Sequence, residues 1–396
     1  MAKWQIPTDY EGVTFPMELV EEIIQYVTED HEVLKSCSLA CHTWLNVCRP
    51  YLFRRVYLDH FNTDEFASLS LPIISTIPIF ARNLELVSCQ GGDRRWLRRL
   101  VPFLTVMTHI SYLRLENVDW MGLHDQSKRN LISTFTATLT HLTLSSISFV
   151  TLREVTTLAS SFPLLESLAL IQISWQSAPC VHDISIVPDI LDRLHAPLRS
   201  LILHSTTIRP VMAWLISHDP PHPVTSLDID SVRMEDKLMI GSYFKVLGYR
   251  LQHLKLGFDK DISSDPVSDK APAQCPGLSG LLSIRVRSFE ITNFFDGSAG
   301  SSSATGAFWA LQMLKTLNPS VLETVVFVIK SLSTSGELDG HDIHWNGLDK
   351  ALNGSAYGAL RCVRFEVKGS VNRDGLAALI RARLPLCGVR RVLCVQ

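Results

Sequence analysis

The chain has little net charge, no long apolar run and no ordered cysteine pattern, and each shortage removes a class of function. Its 37 Lys and Arg nearly balance 39 Asp and Glu, leaving a formal net charge of −2. No overall field therefore draws it to nucleic acid or to an anionic membrane, and neither is expected as a partner. No stretch reaches the roughly 18 uninterrupted apolar residues of a membrane-spanning helix. The opening residues, MAKWQIPTDYEG, contain no apolar segment of signal-peptide length and no small-residue cleavage site. A soluble protein of the cytoplasm or nucleus is expected. The nine cysteines are odd in number, irregularly spaced and include no C-x-x-C pair, which reads as small buried hydrophobes in a reducing compartment.

Catalytic signatures are missing as well. The sequence has no G-x-S-x-G elbow, no phosphate-binding loop, no G-x-G-x-x-G and no H-E-x-x-H. His341-Asp342-Ile343-His344 is the best metal candidate, yet it follows Gly336 and Gly340 and reads as a polar loop. Cys37, Cys41, His42 and Cys48 resemble a ligand cluster, but the three cysteines fall on the apolar side of a helical pattern with Trp44, which favours core packing. Asp93 to Leu100 is a basic amphipathic turn, expected to place Trp96, Leu97 and Leu100 inward and its arginines in solvent. No enzyme activity, cofactor or metal is expected.

What the sequence does have is a repeat. The pattern apolar-x-x-apolar-x-apolar recurs twelve times, as Phe53-Val56-Leu58, Ala81-Leu84-Leu86, Ile110-Leu113-Leu115, Leu139-Leu142-Leu144, Leu165-Leu168-Leu170 and Leu198-Leu201-Leu203. It continues as Val224-Leu227-Ile229, Leu251-Leu254-Leu256, Leu281-Ile284-Val286, Leu322-Val325-Phe327, Leu360-Val363-Phe365 and Val389-Val392-Cys394. Most starts lie 26–33 residues apart. The last part of each match alternates like a strand with one buried face. Helical spacing lies between, at 152–162, 187–194, 211–216, 238–247, 308–317 and 376–384. Each unit has an apolar face that only its neighbours can cover, which predicts an α/β solenoid of the leucine-rich-repeat kind, with parallel strands on the concave side and helices outside. The residues after the strands, among them Asn117, Ser146, Gln172 and Ser205, make no uniform asparagine ladder. Two Pro/Ser/Gly-rich insertions, about 261–277 and 296–306, read as loops.

Ahead of the repeat, residues 12–58 spell three short amphipathic helices. Pro16 opens the first, with Leu19, Ile23, Ile24 and Val27 as its apolar face. Asp30 is a candidate N-cap for the second, which carries Leu34 and Cys37. Leu39, Cys41, Trp44, Leu45 and Cys48 mark the third, which Pro50 should end. About 40 residues cannot build a self-sufficient core, so the unit needs a neighbour or a partner.

Here the order of residues carries a resemblance. Phe15-Pro16-x-Glu18-Leu19-x-x-x-Ile23-Ile24, then Leu34-x-x-Cys37-Ser38-Leu39-x-Cys41-x-x-Trp44, then Pro50-x-Leu52-Phe53, resembles the F-box motif in the F-box-like form common in fungi, with Phe15 where the family usually has Leu. The resemblance implies an F-box at 12–58 and a leucine-rich-repeat-like domain at 59–396. It implies the substrate-recognition subunit of a cullin–RING ubiquitin ligase, gripping a Skp-type adaptor through the F-box and, through it, a cullin. By position it assigns Pro16, Leu19, Ile23, Ile24, Leu34, Leu39, Cys41 and Trp44 to the adaptor interface. Two other readings stay open: helices that only cap the solenoid of a repeat scaffold, and an F-box protein that acts without degradation.

The target protein is expected on the concave face, on residues between the buried ones. These are Tyr112, Arg114, Glu116, His141, Thr143, His204, Asp228, Asp230, His253, Lys255, Arg285, Arg287, Arg364 and Glu366. Acid at Asp228 and Asp230 gives way to base at Lys255, Arg285 and Arg287.

Overall fold

A computed structural model of the chain describes residues 16–70, 75, 77–89, 95–176, 192–258, 284–296, 305–330, 343–368 and 373–396. Both insertions fall almost wholly outside these ranges, as do Phe15, Asp93, Arg94, His341 and Asp342.

Three helices come first: α1 (Met17–Tyr26), α2 (His31–Ser38) and α3 (His42–Leu52). Asp30 caps α2 as its sequence position suggests, its carboxylate accepting the Val33 N–H at 3.0 Å. Pro50 does not end α3. The helix runs on to Leu52 with Pro50 inside its last turn, where the ring costs one hydrogen bond but has little helix left to break.

The strands follow: β1 (Arg55–Leu58), β2 (Asn83–Val87), β3 (Tyr112–Glu116), β4 (His141–Ser145), β5 (Ser148–Phe149), β6 (Ser167–Ile171) and β7 (Ser174–Trp175). Next are β8 (Ser200–His204), β9 (Ser226–Val232), β10 (His253–Phe258), β11 (Ser288–Asp296), β12 (Thr324–Lys330), β13 (Cys362–Lys368) and β14 (Leu393–Val395). Twelve of them form one sheet in sequence order, β5 and β7 making a separate two-stranded pair. Every pairing in the large sheet is parallel.

The connecting helices are α4 (Thr63–Ser70), α5 (Ile77–Phe80), α6 (Trp96–Leu104), α7 (Asp125–Phe135), α8 (Leu152–Ser160) and α9 (Ile208–Ile216). They continue as α10 (Lys237–Leu247), α11 (Thr305–Thr316), α12 (Trp345–Leu352), α13 (Arg373–Arg383) and α14 (Pro385–Val389). Trp96, Leu97 and Leu100 of α6 point into the core as their spacing requires. Helical spacing at 187–194 is only partly described, and Asp192–Leu194 are not helical.

The register pins the apolar pattern. Leu84, Leu113, Leu142, Leu168, Leu201, Leu227 and Leu254 stand side by side, and so do Leu86, Leu115, Leu144, Leu170, Leu203, Ile229 and Leu256. All are buried in one continuous core with the inner faces of the helices, which is the repeat logic in physical form.

Two strands depart from expectation. In β11 it is Phe289 and Ile291, not Ile284 and Val286, that pair with Leu254 and Leu256. Ile284 and Val286 are buried just ahead of the strand instead. The segment holds two overlapping matches, and the later one keeps the units nearly equal, with starts at Leu251, Val286, Leu322 and Leu360. In β14, Leu393 and Val395 rather than Val392 and Cys394 pair with Val363 and Phe365. A one-residue slip exchanges the two faces of a strand, and Val389, expected inward, is 83% exposed at the end of α14. Arg391, with φ +56°, takes up the extra residue between that helix and β14.

The position after the strand makes a ladder of a kind that side-chain identity hides. Asn117, Ser146, Gln172 and Ser205 all adopt left-handed backbone, φ 47–54°. Their N–H groups bond across the array: Asn117 to the Ser145 carbonyl (2.9 Å), Ser146 to Ile171 (2.8 Å) and Gln172 to His204 (2.7 Å). At the next unit the Asp230 carboxylate accepts the Ser205 N–H at 2.7 Å. The four share a turn rather than a residue type.

Candidate docking surfaces

The three N-terminal helices have a small core of their own, separate from that of the repeat. Val20, Ile24, Leu34, Val47 and Cys48 are buried in it, with Val27, Trp44, Tyr51 and Leu52 packed around them. Burial raises the Cys48 thiol above its ordinary pKa, with Cys37 adding to the effect. Along α1 two stripes run side by side. Val20, Ile24 and Val27, spaced i, i+4, i+7, face the core. Leu19, Ile23 and Tyr26 repeat that spacing one residue earlier and stand 44%, 40% and 83% exposed. Leu39, just after α2, is 86% exposed.

The expected adaptor residues therefore divide. Ile24 and Leu34 hold the module together, and Trp44 is half-buried against them. Pro16, Leu19, Ile23, Leu39 and Cys41 present themselves outward. Cys41 is not on the buried side, as the sequence suggested, but at the N-cap of α3. An exposed stripe of this kind on a helix with a finished core is what helix-in-groove docking uses.

On the sheet, the residues between the buried columns form a row: Tyr57, Glu85, Arg114, Thr143, Ala169, Ile202, Asp228, Lys255, Glu290, Val326, Arg364 and Cys394. Its charges neutralise one another. Arg114 lies 2.5 Å from Glu116 and 3.9 Å from Glu85. His204 Nε2 is 2.9 Å from Asp228, Lys255 Nζ is 3.4 Å from Asp228 and 3.2 Å from Glu290. Arg364 is 3.6 Å from Glu366. The Asp228 carboxylate holds the His204 imidazole above its ordinary pKa against the pull of burial. Burial pulls the Lys255 ammonium down, but Asp228 and Glu290 together hold it raised.

Of the expected target-binding residues, His204, Asp228 and Lys255 are thus brought together, and Tyr112 and His141 stand with ring centres 6.4 Å apart. His253 is exposed at the start of β10. Asp230 turns to the Ser205 backbone and hydroxyl instead. Arg285 and Arg287 lie ahead of β11, not between its buried residues, so the basic patch expected there is replaced by Glu290. Glu85 and Glu290 were not anticipated. Correct pairing of β11 would have found the second. Between the charged halves the row is apolar, at Ala169 and Ile202.

No protein-family model matches the chain. No curated protein matches it either. Among solved structures, the crystal structure of the Rad7 and Elc1 complex in yeast aligns over 90% of this chain and 89% of that chain, at 13% identity and TM-score 0.38. That similarity is too slight to carry an argument. Among the described residues no group of three or more His, Cys, Asp or Glu could hold a metal ion, and no helix is long and apolar enough to cross a membrane.

Proposed function

We propose that this chain is the substrate-recognition subunit of a cullin–RING ubiquitin ligase, an F-box protein that recruits and does no chemistry itself. The observation that carries the reading is the exposed Leu19–Ile23–Tyr26 stripe on α1, beside a separate stripe that already completes the module's core. Helices that served only to cap the solenoid would turn such a stripe against it. The F-box order of residues, from Pro16 to Phe53, names the partner that the stripe fits: a Skp-type adaptor, and through it a cullin. The repeat then holds a target protein, with the row from Arg114 to Glu290 as one candidate surface. Non-degradative recruitment through the same adaptor uses the same contacts.

The test is a pull-down of tagged full-length protein from cells, inside which it works in cytoplasm or nucleus. Adaptor and cullin should co-purify with the wild type and be lost with the double variant Leu19→Asp/Ile23→Asp. Their absence from the wild-type pull-down would refute the reading.

A further inference from the structure

Neighbouring helices of the array do not all touch. α7 packs directly on α6, whereas α7 and α8 stand apart. Between them runs an open groove of about 300 Å³ on the helical side of the repeat. Its floor is fixed from below. The Trp120 ring packs on Phe149, with ring centres 5.9 Å apart. Ile132 of α7 and Leu158 of α8 line the walls. Lys128 crosses the gap, its Nζ 5.5 Å from the centre of the Trp120 ring and 3.4 Å from the Glu154 carboxylate. The other Glu154 oxygen accepts the Val150 N–H at 2.9 Å.

The mouth of the groove keeps one cation in excess. Among the described residues its lining holds three bases, Lys128, Arg129 and Arg153, and two acids, Asp125 and Glu154. Lys128 and Glu154 cancel one another. Asp125 is the first residue of α7, where the positive end of the helix dipole favours a carboxylate. Just outside the lining, the Asp192 carboxylate takes the Thr157 hydroxyl and Asp119 takes the Gly122 N–H. The two arginines stand exposed, one on each wall. Among the described residues Arg129 donates only to the Gln126 side-chain carbonyl, at 3.0 Å, and the Arg153 side chain has no hydrogen bond or ion pair.

From these observations we infer that the groove between α7 and α8 seats a protein segment carrying one large apolar side chain beside a carboxylate. The apolar group covers Trp120, Ile132 and Leu158, and the carboxylate pairs with Arg129 and Arg153 at the mouth. Size and shape favour a side chain over a free small molecule. Small-molecule sites start at about 300 Å³ and bury about 70–90% of their ligand, which an open groove of this volume cannot do. Identification of the segment with the target protein rests on the receptor reading above. The groove itself does not.

The probe is a peptide of about eight residues with a glutamate–phenylalanine–glutamate centre in a glycine–serine frame, its phenylalanine fluorinated, titrated against the full-length protein by fluorine NMR. It should bind saturably. As competitors, peptides with lysine–phenylalanine–lysine or glutamate–alanine–glutamate at the centre should displace it at least about tenfold more weakly than its unlabelled form does. Arg129→Glu/Arg153→Glu, at two exposed positions, should cost at least about tenfold in affinity with the unfolding transition unchanged. Added salt should weaken binding to the wild type, which serves as a second arm on unaltered protein. No binding of the acidic phenylalanine peptide, equal displacement by either competitor, or undiminished binding by the arginine variant would each overturn the inference. So would free phenylacetate displacing the probe as well as the unlabelled peptide does, because the occupant would then be a small acid. An adaptor pull-down on the same samples separates the two readings: Leu19→Asp/Ile23→Asp should leave peptide binding intact, and the arginine variant should keep the adaptor.

Discussion

Ile23 and Ile24 are neighbours in sequence, yet Ile24 is wholly buried in the core of the N-terminal module while Ile23 stands 40% exposed on the adjoining stripe of α1. One helical step of about 100° separates a core residue from an exposed one. Ile24→Ala should therefore destabilise the module by about 2–5 kcal/mol, read as an early transition in thermal unfolding. Ile23→Ala should leave that transition within about 0.5 kcal/mol of wild type.

Asp349 has a structural task that its sequence position did not show. Buried in α12, it accepts the N–H groups of Leu386 (3.0 Å) and Cys387 (3.1 Å), closing the N-terminus of α14. Asp349→Ala leaves one buried and one part-buried donor without partners, and a loss of about 1–3 kcal/mol is expected from the shift of the urea midpoint. Asp349→Asn, which keeps an acceptor, should lose less.

Gly257 sits where β10 slips against β9. A Cβ there would run into the Asp230 carbonyl oxygen and the Thr292 hydroxyl. Gly257→Ala should cost at least about 1–3 kcal/mol through backbone shift. By contrast Gly358→Ala, at a site with open space, should be nearly neutral by the same urea assay.

Two histidines give stability opposite dependences on pH. His222 packs on His218 with ring centres 4.7 Å apart, and burial first, then His218, push its pKa down to about 4. Arg193 and His195 face the pair, and add to the push. The unfolded chain binds a proton there near pH 6.5 while the folded chain does not, so stability should fall as pH drops from about 6.5 to about 4, by on the order of 2–3 kcal/mol. His222→Leu should flatten that limb of a urea-midpoint profile. His204 is raised by Asp228. Its contribution is fully present below about pH 6.5 and is lost as pH rises through the folded value, so His204→Gln should flatten the profile on the alkaline side.

Much of the repeat was legible because a two-residue period in a stack of near-equal units leaves little freedom. Ten of the twelve strands of the sheet take the phase that their apolar residues dictate. The pattern fails where it matches twice. Ile284-x-Val286 and Phe289-x-Ile291 are equally strand-like, and only pairing with β10 and β12 chooses between them. That choice moved Arg285 and Arg287 off the row and put Glu290 beside Lys255. At the N-terminus apolar spacing and the Asp30 cap located the helices, but hydrophobicity alone cannot say which of two adjacent stripes faces inward. Packing of Leu34 and Val47 against Ile24 decides it. The left-handed turn column was hidden because Asn117, Ser146, Gln172 and Ser205 differ in side chain and agree only in backbone.

The measurement that bears most directly on the whole account is a titration of purified Skp-type adaptor against the full-length protein by calorimetry, wild type beside Leu19→Asp/Ile23→Asp. The account predicts a saturable one-to-one complex with the wild type, and a loss of at least about a hundredfold in affinity for the variant, whose unfolding transitions stay unchanged. Adaptor binding that persists undiminished in the variant, or that the wild type never shows, would contradict it.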